Sequence, residues 1–289
     1  MKIPIFSGVC TALVTPFLDD KINYPLVERL LYKQVQSGVR AVVLSGTTGE
    51  SPTLNDAEKF ALFKRAKESV GNDCMIIAGT GTNSTKHAIE LSLSAQDAGV
   101  DALLVVAPYY NKGNPEGLYT HYAAIADAVD IPVIIYNVPS RTGVDIPVSV
   151  YKKLSILPNI AGVKEASSDI TKIARTIAAC GNELPVWSGN DDQIVPVMAL
   201  GGKGVISVVS NILPTEAVAM TNAALSGDFV TAAALQCSLM PLIDLMFCEV
   251  NPIPVKYAMK KIGFDCGGCR LPLAHISSEN RKKIDTYFQ

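Results

Sequence analysis

Short apolar runs alternate with longer amphipathic segments along most of the chain. Eight runs of four to six residues are rich in β-branched side chains and are bounded by turn residues, which is typical of strands. They cover residues 9–14, 41–44, 74–78, 102–107, 132–136, 160–164, 185–188 and 204–208. Because apolar residues fill these runs without alternation, we expect parallel strands that are covered on both faces.

The segments between the runs have the period of helices. Residues 56–70 place Phe60, Leu62, Phe63 and Ala66 on one side and Lys and Glu on the other, and residues 86–98 and 170–179 are similar. Eight strand–helix units predict an α/β fold, the (β/α)8 TIM barrel. The units are complete near residue 225, so we expect a catalytic barrel over 1–225 and a C-terminal helical region over 226–289, with helices at 231–247 and 254–262.

An open, doubly wound sheet is the structural alternative to a barrel. Such sheets usually carry fewer strands and a glycine fingerprint after the first strand. Here the first run continues into Thr15, Pro16 and Phe17 without that fingerprint. The barrel is therefore favoured.

Composition and charge exclude several classes of protein. The 289 residues include 25 Lys and Arg against 27 Asp and Glu, for a net charge of −2, and 48% are apolar, which excludes intrinsic disorder. No long basic run is present, so we expect no nucleic-acid partner. No apolar run reaches the roughly 18 residues needed to span a bilayer and the first residues lack the pattern of a signal peptide, so we expect no membrane partner and a cytoplasmic location.

The seven cysteines are scattered, which favours reduced thiols over a disulfide scaffold. One close pair, Cys266 and Cys269, is compatible with a metal or redox site or with a flexible loop. No second pair or nearby histidine cluster completes a zinc site. The histidines at 87, 121 and 275 are far apart in sequence.

Three polar features follow predicted strands at their carboxyl ends, where parallel barrels place their reactive groups. The first is SGTTGES at 45–51 after the second strand. Its glycines allow the backbone to approach a ligand, and the hydroxyls of Thr47 and Thr48 with free N–H groups suit a small carboxylate. The alternative is a glycine turn that leads to a helix capped by Asn55 and Glu58.

The second feature is YNVPSRTG at 136–143, at the end of the fifth strand. Tyr136 continues an apolar run, so its phenol is expected at the barrel mouth. Arg141 in the following loop offers a planar donor fork for a carboxylate. A core tyrosine followed by a solvated arginine is the alternative.

The third feature is Lys164, which ends the sixth strand. A lysine at the end of an apolar barrel strand points into the mouth among groups that exclude water, which favours the neutral, nucleophilic amine. A solvated surface lysine is the alternative. Two glycine-rich segments are weaker signals: 201–204 precedes the eighth strand, and 79–81 lacks the third glycine of a nucleotide motif. Amine chemistry on a carbonyl compound is therefore the leading reaction type.

Together these motifs resemble those of the pyruvate-dependent Schiff-base lyases. The resemblance covers nearly the whole chain. It begins at Gly8 and runs through GTTGES (46–51), PYYN (108–111), YNVPSRTG (136–143), GVKEAS (162–167), WSGN (187–190), GVISV (204–208) and NPIPVK (251–256).

The resemblance implies a reaction and assigns roles to residues. Lys164 would form an imine with pyruvate, whose carboxylate is held by Thr47 and Thr48, and the derived enamine would add to L-aspartate 4-semialdehyde. Arg141 would hold the carboxylate of that second substrate. The residues at the remaining matched positions would be Tyr136, Thr47 and Tyr110 as a proton relay, and Gly189 and Ile206 as the lining of the pyruvate site. The resemblance implies neither a metal nor a cofactor.

The resemblance also implies an assembly and a possible mode of regulation. Tyr110 would reach the site of a neighbouring subunit, so a homodimer or homotetramer is expected. Lysine-inhibited relatives line a regulatory pocket with residues that match Ser51, Asn83 and Tyr109, but this chain has Asp56, Lys59 and His87 where those relatives have His and Glu. A cation at 59 and the loss of a carboxylate at 87 predict weak or absent inhibition by lysine.

Two other functions stay open at this point. The sialic-acid lyases share the barrel, lysine and tyrosine, but they usually have a Ser-Thr pair in the first motif and no arginine after the tyrosine. A second substrate with its own carboxylate explains the presence of Arg141. A barrel retained as a small-molecule sensor is the non-enzymatic alternative, which the complete set of reactive residues disfavours.

Overall fold

The structure, a computed structural model, describes residues 2–289. Its strands are β1 (Gly8–Ala12), β2 (Phe17–Leu18), β3 (Lys21–Ile22), β4 (Ala41–Leu44), β5 (Met75–Gly79), β6 (Ala102–Val106), β7 (Val133–Asn137), β8 (Ile160–Glu165), β9 (Val186–Ser188) and β10 (Gly204–Ser207). Eight of them, β1 and β4 to β10, pair in chain order and close into a parallel barrel through β10 and β1. The predicted barrel is confirmed. The antiparallel hairpin of β2 and β3 was not predicted.

The helices surround the barrel and extend beyond its last strand. They are α1 (Tyr24–Gln36), α2 (Asp56–Val70), α3 (Thr85–Asp97), α4 (Pro115–Ala128), α5 (Pro139–Thr142), α6 (Val148–Leu154), α7 (Ile170–Cys180), α8 (Ile194–Ala199), α9 (Pro214–Leu225), α10 (Phe229–Met246), α11 (Ile253–Lys261) and α12 (Ser278–Tyr287). Asn55 and Glu58 form the expected capping box at the start of α2. The expected domain boundary falls between α9 and α10.

Each barrel strand is buried on both faces, which accounts for the continuous apolar runs. Alternate residues enter two clusters: Val42 and Leu44 of β4 pack outward under the helices, whereas Ala41 and Val43 point into the barrel. The Phe6 and Trp187 rings stack inside the barrel with centroids 4.6 Å apart. The interior is therefore filled, and ligands have access only at its ends.

The C-terminal helices are tied to the loop that follows β4. Lys256 of α11 donates a hydrogen bond from Nζ to Glu50 Oε1 at 2.8 Å, and both side chains are at least 98% buried. The Arg270 backbone N–H donates to the other carboxylate oxygen of Glu50 at 2.8 Å. The C-terminal region thereby fixes a loop that carries predicted site residues.

Helix α10 has the length and composition of a membrane span, with 18 residues and a mean hydropathy of 1.6. The sequence-based expectation of no such segment is therefore wrong for this helix. Its buried residues, which include Leu239, Leu242 and Met246, pack in the main core against neighbouring helices. Pro241 lies within the helix. One such helix, packed into the fold in this way, does not indicate a membrane protein.

Candidate active site

Lys164 and Tyr136 lie side by side at the carboxyl end of the barrel. They are register partners on β8 and β7. The Lys164 Nζ lies 4.4 Å from the centroid of the Tyr136 ring, and the two residues are only 5% and 6% exposed. An amine held in this way is largely shielded from water. The alternative of a solvated surface lysine is wrong.

Gly189, which directly follows β9, lies beside this lysine. The Gly189 N–H donates to the Glu165 carbonyl oxygen at 2.8 Å. A Cβ atom at position 189 would lie 2.6 Å from the Ala166 Cβ and 3.2 Å from the Lys164 Cε, so a larger residue would clash with Ala166 and crowd the lysine. Ile206 packs in the same inner cluster as Tyr136. The structure thus brings Gly189 to the lysine and places Ile206 in the interior of the barrel.

The loop after β4 is a compact turn. Its backbone N–H groups at Gly49 and Ser51 both donate to the Gly46 carbonyl oxygen, at 3.1 and 3.2 Å. Thr47 lines the cavity at the barrel mouth, whereas Thr48 is buried and its hydroxyl accepts a hydrogen bond from Asn251 Nδ2 at 2.9 Å. The two expected roles of this segment, a ligand loop and a turn into a capped helix, are compatible with each other.

Arg141 lies on the short helix α5, directly after β7, and it is exposed at the cavity. Its Nη2 donates to the Asn251 carbonyl oxygen at 3.3 Å. Asn251 therefore connects Arg141 with Thr48, while its own buried Oδ1 accepts no hydrogen bond within residues 2–289. Sequence reasoning placed Asn251 in a shared motif but gave it no role.

Tyr110 is 87% exposed and adopts a left-handed backbone conformation with φ of 75°. Its N–H donates to the Thr142 carbonyl oxygen at 3.2 Å, which joins its loop to α5. Within residues 2–289 no hydrogen bond connects the hydroxyls of Thr47, Tyr110 and Tyr136, although all three residues line one cavity of about 1390 Å³. In the single chain the three relay residues therefore line the same cavity but are not hydrogen-bonded to one another.

Beneath the site lies a buried polar network that the sequence reasoning missed. The Glu165 carboxylate accepts hydrogen bonds from Asn137 Nδ2 at 2.8 Å, the Tyr151 hydroxyl at 2.8 Å and the Ser167 N–H at 2.9 Å. Lys172 pairs with Asp145 and lies 3.6 Å from Glu165. Asn137 directly follows Tyr136 in sequence, and Glu165 directly follows Lys164. Their position at the strand ends was the one signal in the sequence that pointed to them. The network holds the ends of β7 and β8 in place.

Asp191 supports the other side of the site. Its Oδ2 accepts from the Val208 and Val209 N–H groups, both at 2.9 Å, and so holds the loop after β10. Burial raises the pKa of this carboxyl, while those hydrogen bonds and the charge of Lys164 act in the opposite direction.

The remaining motifs have structural explanations. All seven cysteines are free thiols, and burial raises the pKa of Cys266 and Cys269 to about 12, which keeps them protonated and poorly reactive. Among residues 2–289 no cluster of three His, Cys, Asp or Glu could hold a metal ion. The 201–204 segment is a turn that ends where β10 begins, and Gly81 lines the cavity.

The profile of the dihydrodipicolinate synthetase family matches residues 5–289. The chain belongs to this family. A curated relative from Thermoanaerobacter sp., named 4-hydroxy-tetrahydrodipicolinate synthase, is 46% identical over 279 residues, which are 96% of this chain and 94% of the relative. The resemblance found in the sequence is thereby confirmed.

Solved structures of the dihydrodipicolinate synthetase family agree with this fold. The dihydrodipicolinate synthase from Aquifex aeolicus is 41% identical and superposes with a TM-score of 0.96, over 98% of this chain and 97% of that one. The enzyme from Cyanidioschyzon merolae, solved with lysine bound, is 37% identical with a TM-score of 0.94, over 97% and 96% of the two chains. The family thus has this barrel and its C-terminal helices in common.

Proposed function

We propose that this chain condenses pyruvate with L-aspartate 4-semialdehyde to give 4-hydroxy-tetrahydrodipicolinate. Membership of the dihydrodipicolinate synthetase family supports this activity, and so do the names of its relatives. The observation that carries the chemistry is the buried Lys164 beside Tyr136, with Arg141 exposed to the same cavity as Tyr136. The relatives do not favour a sialic-acid lyase.

The reaction begins with attack of the Lys164 amine on the keto carbon of pyruvate. Loss of water gives an imine, which withdraws electrons from the adjacent methyl group, and loss of a methyl proton gives an enamine. The enamine carbon adds to the aldehyde of the second substrate. The amine of that substrate then attacks the imine carbon, closes the ring and releases Lys164.

The other residues bind and transfer protons. Thr47 and Thr48 hold the pyruvate carboxylate with hydroxyl and backbone N–H groups, and Gly189 and Ile206 shape the pocket around it. Tyr136 exchanges protons with the reacting atoms, and Thr47 and Tyr110 connect it with solvent. Arg141 binds the carboxylate of the semialdehyde. The sequence of steps balances without a metal or a redox cofactor.

The exposure of Tyr110 supports an assembly of several subunits. The Tyr110 phenol is 87% exposed in the single chain and makes no hydrogen bond with Thr47 or Tyr136 there, so a second surface is needed to complete the relay. We propose a homodimer or homotetramer in which Tyr110 completes the site of a neighbouring subunit, and a cytoplasmic location for the enzyme.

Reductive trapping tests the proposed function. Treatment with pyruvate and borohydride should leave a stable adduct on the peptide that contains Lys164, and Lys164→Ala should fold normally but form no adduct. L-aspartate 4-semialdehyde, but not N-acetylmannosamine, should then be consumed with pyruvate by the untreated enzyme. An unmodified Lys164 peptide would refute the Schiff base, and turnover of N-acetylmannosamine alone would favour the sialic-acid lyase.

A further inference from the structure

The buried carboxylate of Asp191 has no cation in contact with it. Asp191 begins a one-turn 3-10 helix two residues after Gly189 and is only 2% exposed. Its Oδ2 accepts the two hydrogen bonds from Val208 and Val209. Its Oδ1 is buried without a hydrogen-bond partner within residues 2–289, although the Ser207 hydroxyl lies close enough to favour the charged form. Neutral donors therefore hold a buried negative charge whose counter-charge lies further away.

That counter-charge is Lys164, on the strand that pairs with β9. Gly189 separates the two side chains: a Cβ atom on it would lie 3.2 Å from the Lys164 Cε, and Asp191 follows two residues later. Burial raises the pKa of Asp191, and the positive charge of Lys164 opposes this effect. The two groups form no direct ion pair, so their charges act through the protein interior. Charges interact more strongly there than across water.

The other ionisable groups around Lys164 do not supply a negative charge. The Cys10 thiol of β1 is fully buried, which raises its pKa well above the usual value and keeps it neutral. Tyr136 on β7 contributes a phenol, and Arg141 at the cavity is a cation. Glu165 is the next residue of β8, so its side chain points to the opposite face of the strand, into the polar network described above. The inner residues of the other strands are apolar.

The elements packed against Asp191 bring no cation that competes with Lys164. Helix α8 and the turn after β10 contain no ionisable residue. Helix α10 contains Cys237, which is exposed, and Asp244, which together with burial raises the pKa of Asp192. The same helix contributes Gln236, whose Nε2 donates to the Asp191 carbonyl oxygen at 2.9 Å. Asp191 is thus held in place by neutral groups on this side.

The charge on Lys164 changes during the proposed reaction. The neutral amine, the keto group of pyruvate and one proton give the protonated imine and one water, so the nitrogen becomes cationic. Loss of a methyl proton then gives the neutral enamine. A negative charge that is already fixed in position stabilises such a cation without having to reorganise. The two backbone N–H groups fix the Asp191 carboxylate in this way.

We propose that the Asp191 carboxylate is the counter-charge of Lys164 and stabilises its two cationic forms, the ammonium group and the protonated imine. Asp191 acts through Lys164 and not on the substrate, which makes it a positioning residue. The part of the proposal that concerns the imine rests on the proposed function. The part that concerns the ammonium group does not.

Reductive methylation tests the ammonium group without pyruvate. Only a neutral amine attacks formaldehyde, so methylation of the Lys164 peptide by formaldehyde and cyanoborohydride, followed against pH, reports how readily the amine loses its proton. Asp191→Asn removes the charge but keeps an oxygen that can accept the same backbone hydrogen bonds. Because the ammonium group then loses its counter-charge, the midpoint at Lys164 should move about 0.5–1 pH unit lower.

Two controls accompany this measurement. Asp192→Asn, at the exposed neighbouring position, should leave the midpoint at Lys164 unchanged. The exposed Lys64 of α2, measured in the same digests, should titrate alike in every variant. An equal shift in Asp192→Asn would overturn the proposal, because the effect would then be one of general charge.

Trapping with pyruvate tests the protonated imine. At a pH above both methylation midpoints, the pyruvate concentration for half-maximal reduction of the Lys164 imine by cyanoborohydride should rise about 3- to 10-fold in Asp191→Asn, which is the same shift expressed as an equilibrium constant. A change of the loop after β10 alone would not move the methylation midpoint and the trapping constant by matching amounts.

The outcomes separate this proposal from the proposed function. Equal methylation midpoints in the wild type and Asp191→Asn would overturn the proposal, whatever the protein does with pyruvate. A shifted midpoint in a protein that forms no pyruvate adduct would refute the reaction and leave the pairing of charges standing. If Asp191→Asn fails to fold, as judged by circular dichroism, Asp191→Ser replaces it, because the serine hydroxyl also accepts from a backbone N–H group.

Discussion

The Lys164 side-chain nitrogen lies 4.4 Å from the centre of the Tyr136 ring, and the two residues are direct neighbours across β7 and β8. Their spacing is set by the sheet and not by a loop, so a change at one position leaves the other in place.

Tyr136→Phe should therefore keep the pyruvate adduct and lower kcat by roughly 10²- to 10⁴-fold, the usual contribution of a proton-transfer group. Adduct mass and steady-state rates measure the two effects. Unchanged turnover would remove Tyr136 from the mechanism, and Tyr32→Phe on the exposed face of α1 is the control.

Arg141→Ala should separate the two substrates. Adduct formation with pyruvate should remain, because Arg141 is not among the groups packed around Lys164. The KM for the semialdehyde should rise by about 10- to 100-fold, as expected for the loss of a charge-assisted hydrogen bond of about 1.5–3 kcal/mol. The control is Arg175→Ala, an exposed arginine on α7. If the KM for pyruvate rises instead, Arg141 binds the carboxylate of pyruvate.

A mixing experiment tests whether Tyr110 acts across subunits. Lys164→Ala and Tyr110→Phe should each be nearly inactive. Mixed assemblies should recover activity, because a site with Lys164 from one subunit then receives Tyr110 from the other. Activity of the mixture is compared with that of each variant after the same dissociation and reassociation. If native mass spectrometry detects mixed assemblies but activity does not recover, Tyr110 acts in the site of its own subunit.

Lysine should inhibit this enzyme weakly or not at all. A relative has been solved with lysine bound, but here the buried Lys59 would repel the ammonium groups of that ligand. Steady-state rates at increasing lysine concentration measure the effect, and submicromolar inhibition would contradict the prediction. Lys59→His combined with His87→Glu should increase the sensitivity.

The free energy of unfolding should decrease as the pH is lowered, because of His121. Burial lowers the pKa of this residue to about 4 from 6.5, and its Nε2 has no hydrogen-bond partner within residues 2–289. Between these two values the unfolded chain binds a proton that the folded chain does not, so protonation favours unfolding. At one fixed temperature, the free energy of unfolding should decrease between pH 7 and pH 5 by about 2 kcal/mol less in His121→Gln than in the wild type. Urea titrations at both pH values measure the difference, and equal losses would contradict it.

The sequence predicted the barrel well because burial on both faces leaves a direct signature in hydrophobic runs. Each predicted strand overlaps an observed one, and the prediction for α2 has the observed bounds. The two-residue strands β2 and β3 were missed because they are too short to show any period. Lys164 was singled out because a charge at the end of an apolar strand is conspicuous, and Arg141 because it lies in the segment that follows such a strand.

Other parts of the site depend on partners that are distant in sequence. The bond from Asn251 to Thr48 joins residues 203 positions apart, and the contacts of Glu165 join two strands with two helices. Periodicity records which side of an element is buried but not which polar groups meet there. Such pairs become visible only when the chain is folded.

The ion pair between Lys256 and Glu50 sets an order for the assembly of the molecule during its synthesis. Its two residues lie 206 positions apart, so all eight barrel strands leave the ribosome before Lys256 does. The turn that contains Thr47 and Thr48 has its own backbone hydrogen bonds, but its tie to the C-terminal helices can form only afterwards. A nascent barrel would thus be complete in its sheet while the buried Glu50 carboxylate beside its substrate loop still has neither Lys256 nor the Arg270 N–H as a partner.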